Sequence, residues 1–291
     1  MKRMFLCVSM VAFSLIQISV SEEKSMDQLS KDLANPLAQI WNMSFQHNRS
    51  IISGDFVDGH EHINSTLFQP VLPIPLGDKY TAFARPVLTL IDGPTSGTVT
   101  GGTPSQPIGR GDDRDIELGD MILPVGIGVV RQTGWSWGGG ATFIFPTSEN
   151  DLLGSHQYQV GPTALALWAN ETLTIGTHIQ HWWGFADDNS GLASSENKNH
   201  TDIQYFIIKQ LPNAWQLRSS PHITMDWNKD SDNALTLPIG IGVGKMIKLG
   251  PMPVMLMAEY QYSIISPDEI GAEQTFMLQA NFIIKNPFGL L

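Results

Sequence analysis

Residues 214–227, AWQLRSSPHITMDW, change chemical character at almost every step. Trp215, Leu217, Ile223, Met225 and Trp227 share one parity, with Ser219 and Pro221 between them. Gln216, Arg218, Ser220, His222, Thr224 and Asp226 share the other. A period of two belongs to a β-strand whose two faces meet different surroundings. In a soluble sandwich the apolar face is the core. In an outer-membrane barrel that face meets lipid, and the charges line a lumen.

The rest of the chain decides between the two. Strand-like runs fall near 41–49, 63–75, 80–91, 117–130, 135–147, 158–168, 173–186, 202–210, 215–227, 234–247, 253–265 and 273–285. Short turns follow every second run: LGDK, RQTG, ANET, LPNA and LGPM. Longer polar connections join the others, the longest near 92–116 and 187–201. This sorting is the habit of a transmembrane barrel, with short periplasmic turns and long outer loops. A Greek-key sandwich has no reason to sort its loops this way.

Aromatic residues give an independent test. Trp215 and Trp227 share a face, twelve residues apart. At about 3.3 Å per residue and a tilt near 40°, they stand about 30 Å apart in height. A lipid band of about 25 Å with an aromatic girdle at each rim has that size. Tyr158 and Trp168 bracket the sixth run. Trp135 and Trp137 begin the fifth, Trp183 nears the end of the seventh, and Tyr260 and Tyr262 near that of the eleventh. On the eleventh run Val254, Leu256, Ala258, Tyr260 and Tyr262 are expected to face lipid. The eighth run, with IQYFII, is apolar on both faces and gives no orientation.

The start of the chain adds a location. Lys2 and Arg3 precede an apolar stretch from Met4 to about Ile16, with Ser19 and Ser21 at cleavage-site spacing. Residues 1–21 thus read as a secretory signal peptide. No other apolar run is long enough for a spanning helix, so membrane insertion requires a closed barrel. Residues 22–40 read as a periplasmic N-terminal segment whose short helix, near 22–36, is capped by Ser25, carries Met26, Leu29 and Leu33 on one face, and ends at Pro36. The barrel occupies 41–291. The single cysteine, Cys7, excludes an internal disulfide framework. A net charge of −11 argues against nucleic acid as a partner.

Parity sends Arg85, Asp120, His178, Gln180, Arg218, His222, Asp226, Glu259, Gln261 and Gln279 inward. Charges there need partners, and a polar constriction of this kind selects solutes. Ser220, His222 and Asp226 would suit a lipid hydrolase, but they lie along one strand, and Ser220 and His222 are about 7 Å apart. PIGIGVGK (238–245) resembles a phosphate loop but lacks its first glycine and the hydroxyl residue after the lysine. It repeats PVGIGVVR (124–131), and both read as wall glycines that permit bending or close packing. Asp112, Asp113, Asp115, Asp187 and Asp188 could bind calcium or bridge to lipopolysaccharide through divalent ions, but read first as solvated loop residues, with no metal or cofactor expected.

The stretches NPLAQIWNMSFQHN, FQPVLPIPL, LGDMILP, GGGATFIFPTSENDLLGSHQYQVGPTALAL, SSPHITMDW and LPIGIGVGK occur in an order that resembles a family of Gram-negative outer-membrane proteins. That family is related to proteins of the meta-pathway of phenol degradation. The resemblance spans roughly residues 33–286. It implies an outer-membrane β-barrel that transports small aromatic or apolar compounds, and it carries no catalytic residues. Phe288 followed by Gly-Leu-Leu departs from the usual terminal aromatic.

The expectation is an all-β, antiparallel transmembrane barrel of about twelve strands with a short N-terminal helix. It is a channel or transporter in the Gram-negative outer membrane, in contact with lipopolysaccharide and inserted by the barrel-assembly machinery. The alternatives are a non-conducting structural or surface-binding barrel and, from another class, an outer-membrane lipase.

Overall fold

The computed structural model describes residues 24–77, 79–94, 114–148, 154–188 and 196–284. The signal segment with Cys7, the loop acids Asp112 and Asp113, and Phe288 lie outside the described residues. Among the described residues one helix, α1 (Met26–Leu33), precedes fifteen strands. These are β1 (Trp41–Ser53), β2 (Glu61–Leu76), β3 (Tyr80–Ala84), β4 (Leu88–Pro94), β5 (Arg114–Leu118), β6 (Met121–Val129), β7 (Gly134–Phe145) and β8 (Gln157–Ala169). There follow β9 (Leu173–Asp187), β10 (Asn199–Leu211), β11 (Trp215–Ser219), β12 (His222–Asp226), β13 (Leu235–Leu249), β14 (Met252–Ile265) and β15 (Gly271–Ile284).

All of them join one antiparallel sheet, and β1 pairs with both β2 and β15, which closes the barrel. β3 with β4, β5 with β6, and β11 with β12 are each one wall strand broken midway, so the fifteen segments make twelve wall strands. The breaks correct three runs that the sequence reads as continuous. Two fall at Arg85–Pro86 and Ser220–Pro221, where proline lacks the ladder N–H. The third falls at Gly119–Asp120.

The five short turns lie at one end of the barrel, as antiparallel alternation requires. The tightest has Gly250 at φ +60° between Leu249 and Met252, a left-handed conformation that costs glycine little. The outer surface is apolar. Trp135, Trp137, Tyr158, Trp183, Trp215, Trp227, Tyr260 and Tyr262 are exposed on it, and Trp168 lies half-buried opposite Trp135. Val254 departs from its expected lipid exposure. It is only 1% exposed, between its larger cross-strand partners Ile247 and Phe282.

The N-terminal segment lies inside the barrel at the short-turn end. Ser25 caps α1 by accepting from Gln28 N at 3.1 Å. Met26, Leu29 and Leu33 pack on the inward Met246, Met255 and Met257 and on Ala214. Ser30 is fully buried, and its carbonyl accepts from Gln216 Nε2 at 2.8 Å. Beyond the helix, Ala34 and Leu37 join Leu165, Leu167, Ala169, Phe206 and Ile208 in a second apolar cluster. That cluster explains the doubly apolar eighth run. On β10, Ile207 and Leu211 face outward, while Phe206 and Ile208 face the N-terminal segment.

Candidate functional site

Above this floor the lumen holds a cavity of about 530 Å³. Leu33, Ala34, Pro36, Ala38 and Ile40 of the N-terminal segment line one side of it. Its walls mix polar and apolar side chains.

The β1 and β15 wall is neutral. Period two sends Asn42, Ser44, Gln46, Asn48 and Ser50 of β1 inward, beside Thr275, Gln279 and Asn281 of β15. They bond to one another: Gln279 Nε2 donates to Ser44 Oγ at 2.8 Å, Gln46 Nε2 to Asn48 Oδ1 at 3.0 Å, and Ser50 and Thr275 share a bond at 2.9 Å. Gln69 of β2 joins through Gln46 at 3.2 Å.

The charges sit on other strands. The broken strand β11–β12 creates one group. Ladder pairing to β13 lapses between Arg218↔Gly242 and Thr224↔Thr236. Side chains take over the orphaned backbone groups. Tyr205 Oη donates to Pro238 O at 3.1 Å, and Gln204 Nε2 donates to Ser220 O at 3.3 Å. Ser220 donates from its N at 2.9 Å and its Oγ at 2.8 Å to the Glu259 carboxylate. Arg218 Nε stands 3.6 Å from Glu259, its Nη2 donates to Ser220 Oγ at 3.0 Å, and its Nη1 meets Met257 Sδ. Gly240, Gly242 and Gly244 of β13 leave the room: a Cβ at Gly242 would lie 2.7 Å from Glu259 Cβ. Beside this group, His222 Nδ1 contacts both oxygens of Asp202 at 2.9 Å.

Of the ten inward candidates, Arg85, Gln180, Arg218, His222, Gln261 and Gln279 line the cavity. Four do not. Asp120 sits at the β5–β6 break, where its carboxylate accepts from Ser155 N at 2.8 Å and Ser155 Oγ at 2.7 Å, holding a loop end. Asp226 accepts from Asn228 N at 3.0 Å and shapes the turn after β12. His178 is buried against Thr163 at 2.8 Å. Glu259 is 3% exposed, tied to Arg218 and Ser220. Asp202, Gln204 and the β1 amides are cavity residues that the sequence reading missed. Asp202 and Gln204 share the parity of Phe206 and Ile208, and the two apolar faces of that run hid it. The β1 amides had a visible signal, the alternation of WNMSFQ.

The hydrolase arrangement is not assembled. Ser220 Oγ donates to Glu259, His222 turns to Asp202, and Asp226 caps a turn. Among the described residues no group of three or more His, Cys, Asp or Glu side chains is placed to hold a metal ion.

The architecture and cavity define a closed antiparallel barrel of the outer-membrane type. Its fold is similar to that of an outer membrane channel from Pseudomonas putida F1, with TM-score 0.56, 14% identity, and coverage of 84% of this chain and 94% of that one. It is also similar to the NanC porin, with TM-score 0.50, 8% identity, and coverage of 84% and 100%. The sequence matches no protein-family model and no curated protein.

Proposed function

We propose that this barrel passes small molecules, aromatic or apolar ones among them, across the outer membrane of a Gram-negative cell. The observation that carries the reading is an open cavity, lined by hydrogen-bonding and apolar side chains, inside a wall whose outer face is apolar. A barrel built only as scaffold has no need of open space, and small barrels fill theirs with side chains. Here about 530 Å³ stays open above the N-terminal segment. The channel and the porin that share the fold are precedents for a conducting lumen. The resemblance to the phenol meta-pathway relatives supports the solute class, and the apolar cavity residues Val87, Ile122, Trp182 and Phe206 suit it. The signal-peptide pattern supports export, followed by insertion through the barrel-assembly machinery beside lipopolysaccharide.

Conductance tests the reading. The chain from residue 22 and a second from residue 41 are refolded and compared in planar bilayers, with heat-modifiable migration as the fold check. Removing the segment that packs into the short-turn end should give larger steps than the longer chain. Two folded barrels that both stay silent would sink transport through the lumen and favour a structural or surface-binding barrel.

A further inference from the structure

We propose that the lumen cavity binds small organic monocarboxylates with an apolar body, and that Arg85 is the residue that holds the carboxylate. The inference deepens the channel reading and rests on it.

Arg85 lies at the β3–β4 break, where its backbone N donates to Pro124 O at 3.1 Å and its side chain lines the cavity. Its Nε is buried and has no hydrogen-bond partner, and among the described residues no carboxylate lies within ion-pair distance of it. The other luminal charges are engaged. Arg218 and Glu259 face each other at 3.6 Å, and Asp202 holds His222 at 2.9 Å. Arg85 is half-buried and feels the charge of Asp202 without pairing with it, and its planar fork matches a carboxylate. The fork is therefore free to take an anion.

The surroundings narrow the class. Val87, Ile122, Trp182 and Phe206 line the same cavity and offer apolar contact. Asp202 also lines it and disfavours a doubly charged ligand. A volume of about 530 Å³ lies within the range of small-ligand sites. One guanidinium, an apolar wall and a nearby carboxylate together select a singly charged amphiphilic anion over phosphate or a neutral hydrocarbon.

Equilibrium dialysis of the detergent-solubilised full chain, with empty micelles as blank, tests this. The probes are benzoate, benzamide with the same ring and no charge, and inorganic phosphate. Saturable binding of benzoate alone is expected. Arg85→Gln should weaken it about tenfold or more, and Arg85→Lys should restore part of it. Equal binding of benzamide, or unchanged benzoate binding by Arg85→Gln, would overturn the proposal. If Arg85→Gln does not fold, the benzoate–benzamide comparison on the native chain decides by itself. Conductance steps without benzoate binding remove the site and leave the channel. Binding in a silent barrel keeps the site and removes the channel.

Discussion

The two glycine runs look alike in sequence and serve different ends. In PVGIGVVR on β6, Gly126 and Gly128 pair across the ladder with Gly140 and Gly138 of β7. A Cβ at Gly140 would lie 2.0 Å from Val125 O and 2.5 Å from Gly126 Cα. Here glycine lets two backbones close on each other. The space left inside takes apolar groups, Phe83 against Gly126 and Leu37 of the N-terminal segment against Gly128. In PIGIGVGK on β13 the opposite strand offers side chains: Gly240 faces Gln261, and Gly242 faces Glu259. The room there houses a buried ion pair. The same alternation of glycine and β-branched residue makes a seat for the N-terminal segment on one wall and a seat for charge on another. What distinguishes them is the partner strand, which the motif does not contain.

This contrast is open to attack, and the largest effect is expected at the charge. Glu259→Ala would leave Arg218 buried beside an empty seat. Losing one member of a buried pair costs about 3–5 kcal/mol, so urea unfolding followed by heat-modifiable migration should shift strongly. Adding Arg218→Met should recover most of the loss. If the single variant unfolds like the parent, the β13 glycines are not making room for a structural ion pair. The next effect belongs to the β6–β7 seat. Gly140→Ala meets main chain on both near contacts, which cannot rotate away, and overpacking of this kind costs roughly 1–3 kcal/mol. The same unfolding assay reads it, and a neutral result would mean that the two strands are free to separate there.

How much of this was legible follows from what sets each feature. Most wall strands were readable because they alternate by themselves, and several end in aromatics such as Trp215 and Trp227. Ser25 and the Met26–Leu29–Leu33 stripe marked the helix for the same local reason. The docking of that helix was not readable, since its seat at Met246, Met255 and Met257 is assembled from strands over two hundred residues away. The cavity was half readable. Parity found Arg85, Arg218 and His222, whereas Asp202 was lost on the run where Phe206 and Ile208 are apolar inward to pack on the N-terminal segment. Parity also cannot tell a residue that lines open space from one that holds a loop, as Asp120 and Asp226 do.

The smallest expected effect sharpens the comparison most. Gly244 lies on the same strand and parity as Gly242, but a Cβ there would meet only side chains: Gln216 Oε1 at 3.2 Å, Met255 Sδ at 3.4 Å and Met257 Cγ at 3.4 Å. The thioether chains can turn aside, and methionine fills irregular space at little cost. Gln216 is less free, because its Nε2 donates to Ser30 O and Ser30 Oγ. Against this stands a gain, since a strand glycine costs roughly 0.5–1 kcal/mol relative to alanine. Gly244→Ala should therefore stay within about 1 kcal/mol of the parent in urea unfolding, the two terms offsetting. Gly242→Ala, whose Cβ would lie 2.5 Å from Ala258 O, should lose more in the same assay. Equal losses at both positions would mean that the wall tolerates no side chain anywhere along this run. The glycines would then be required for curvature of β13 itself, and the seat for Glu259 would be a by-product of that bend.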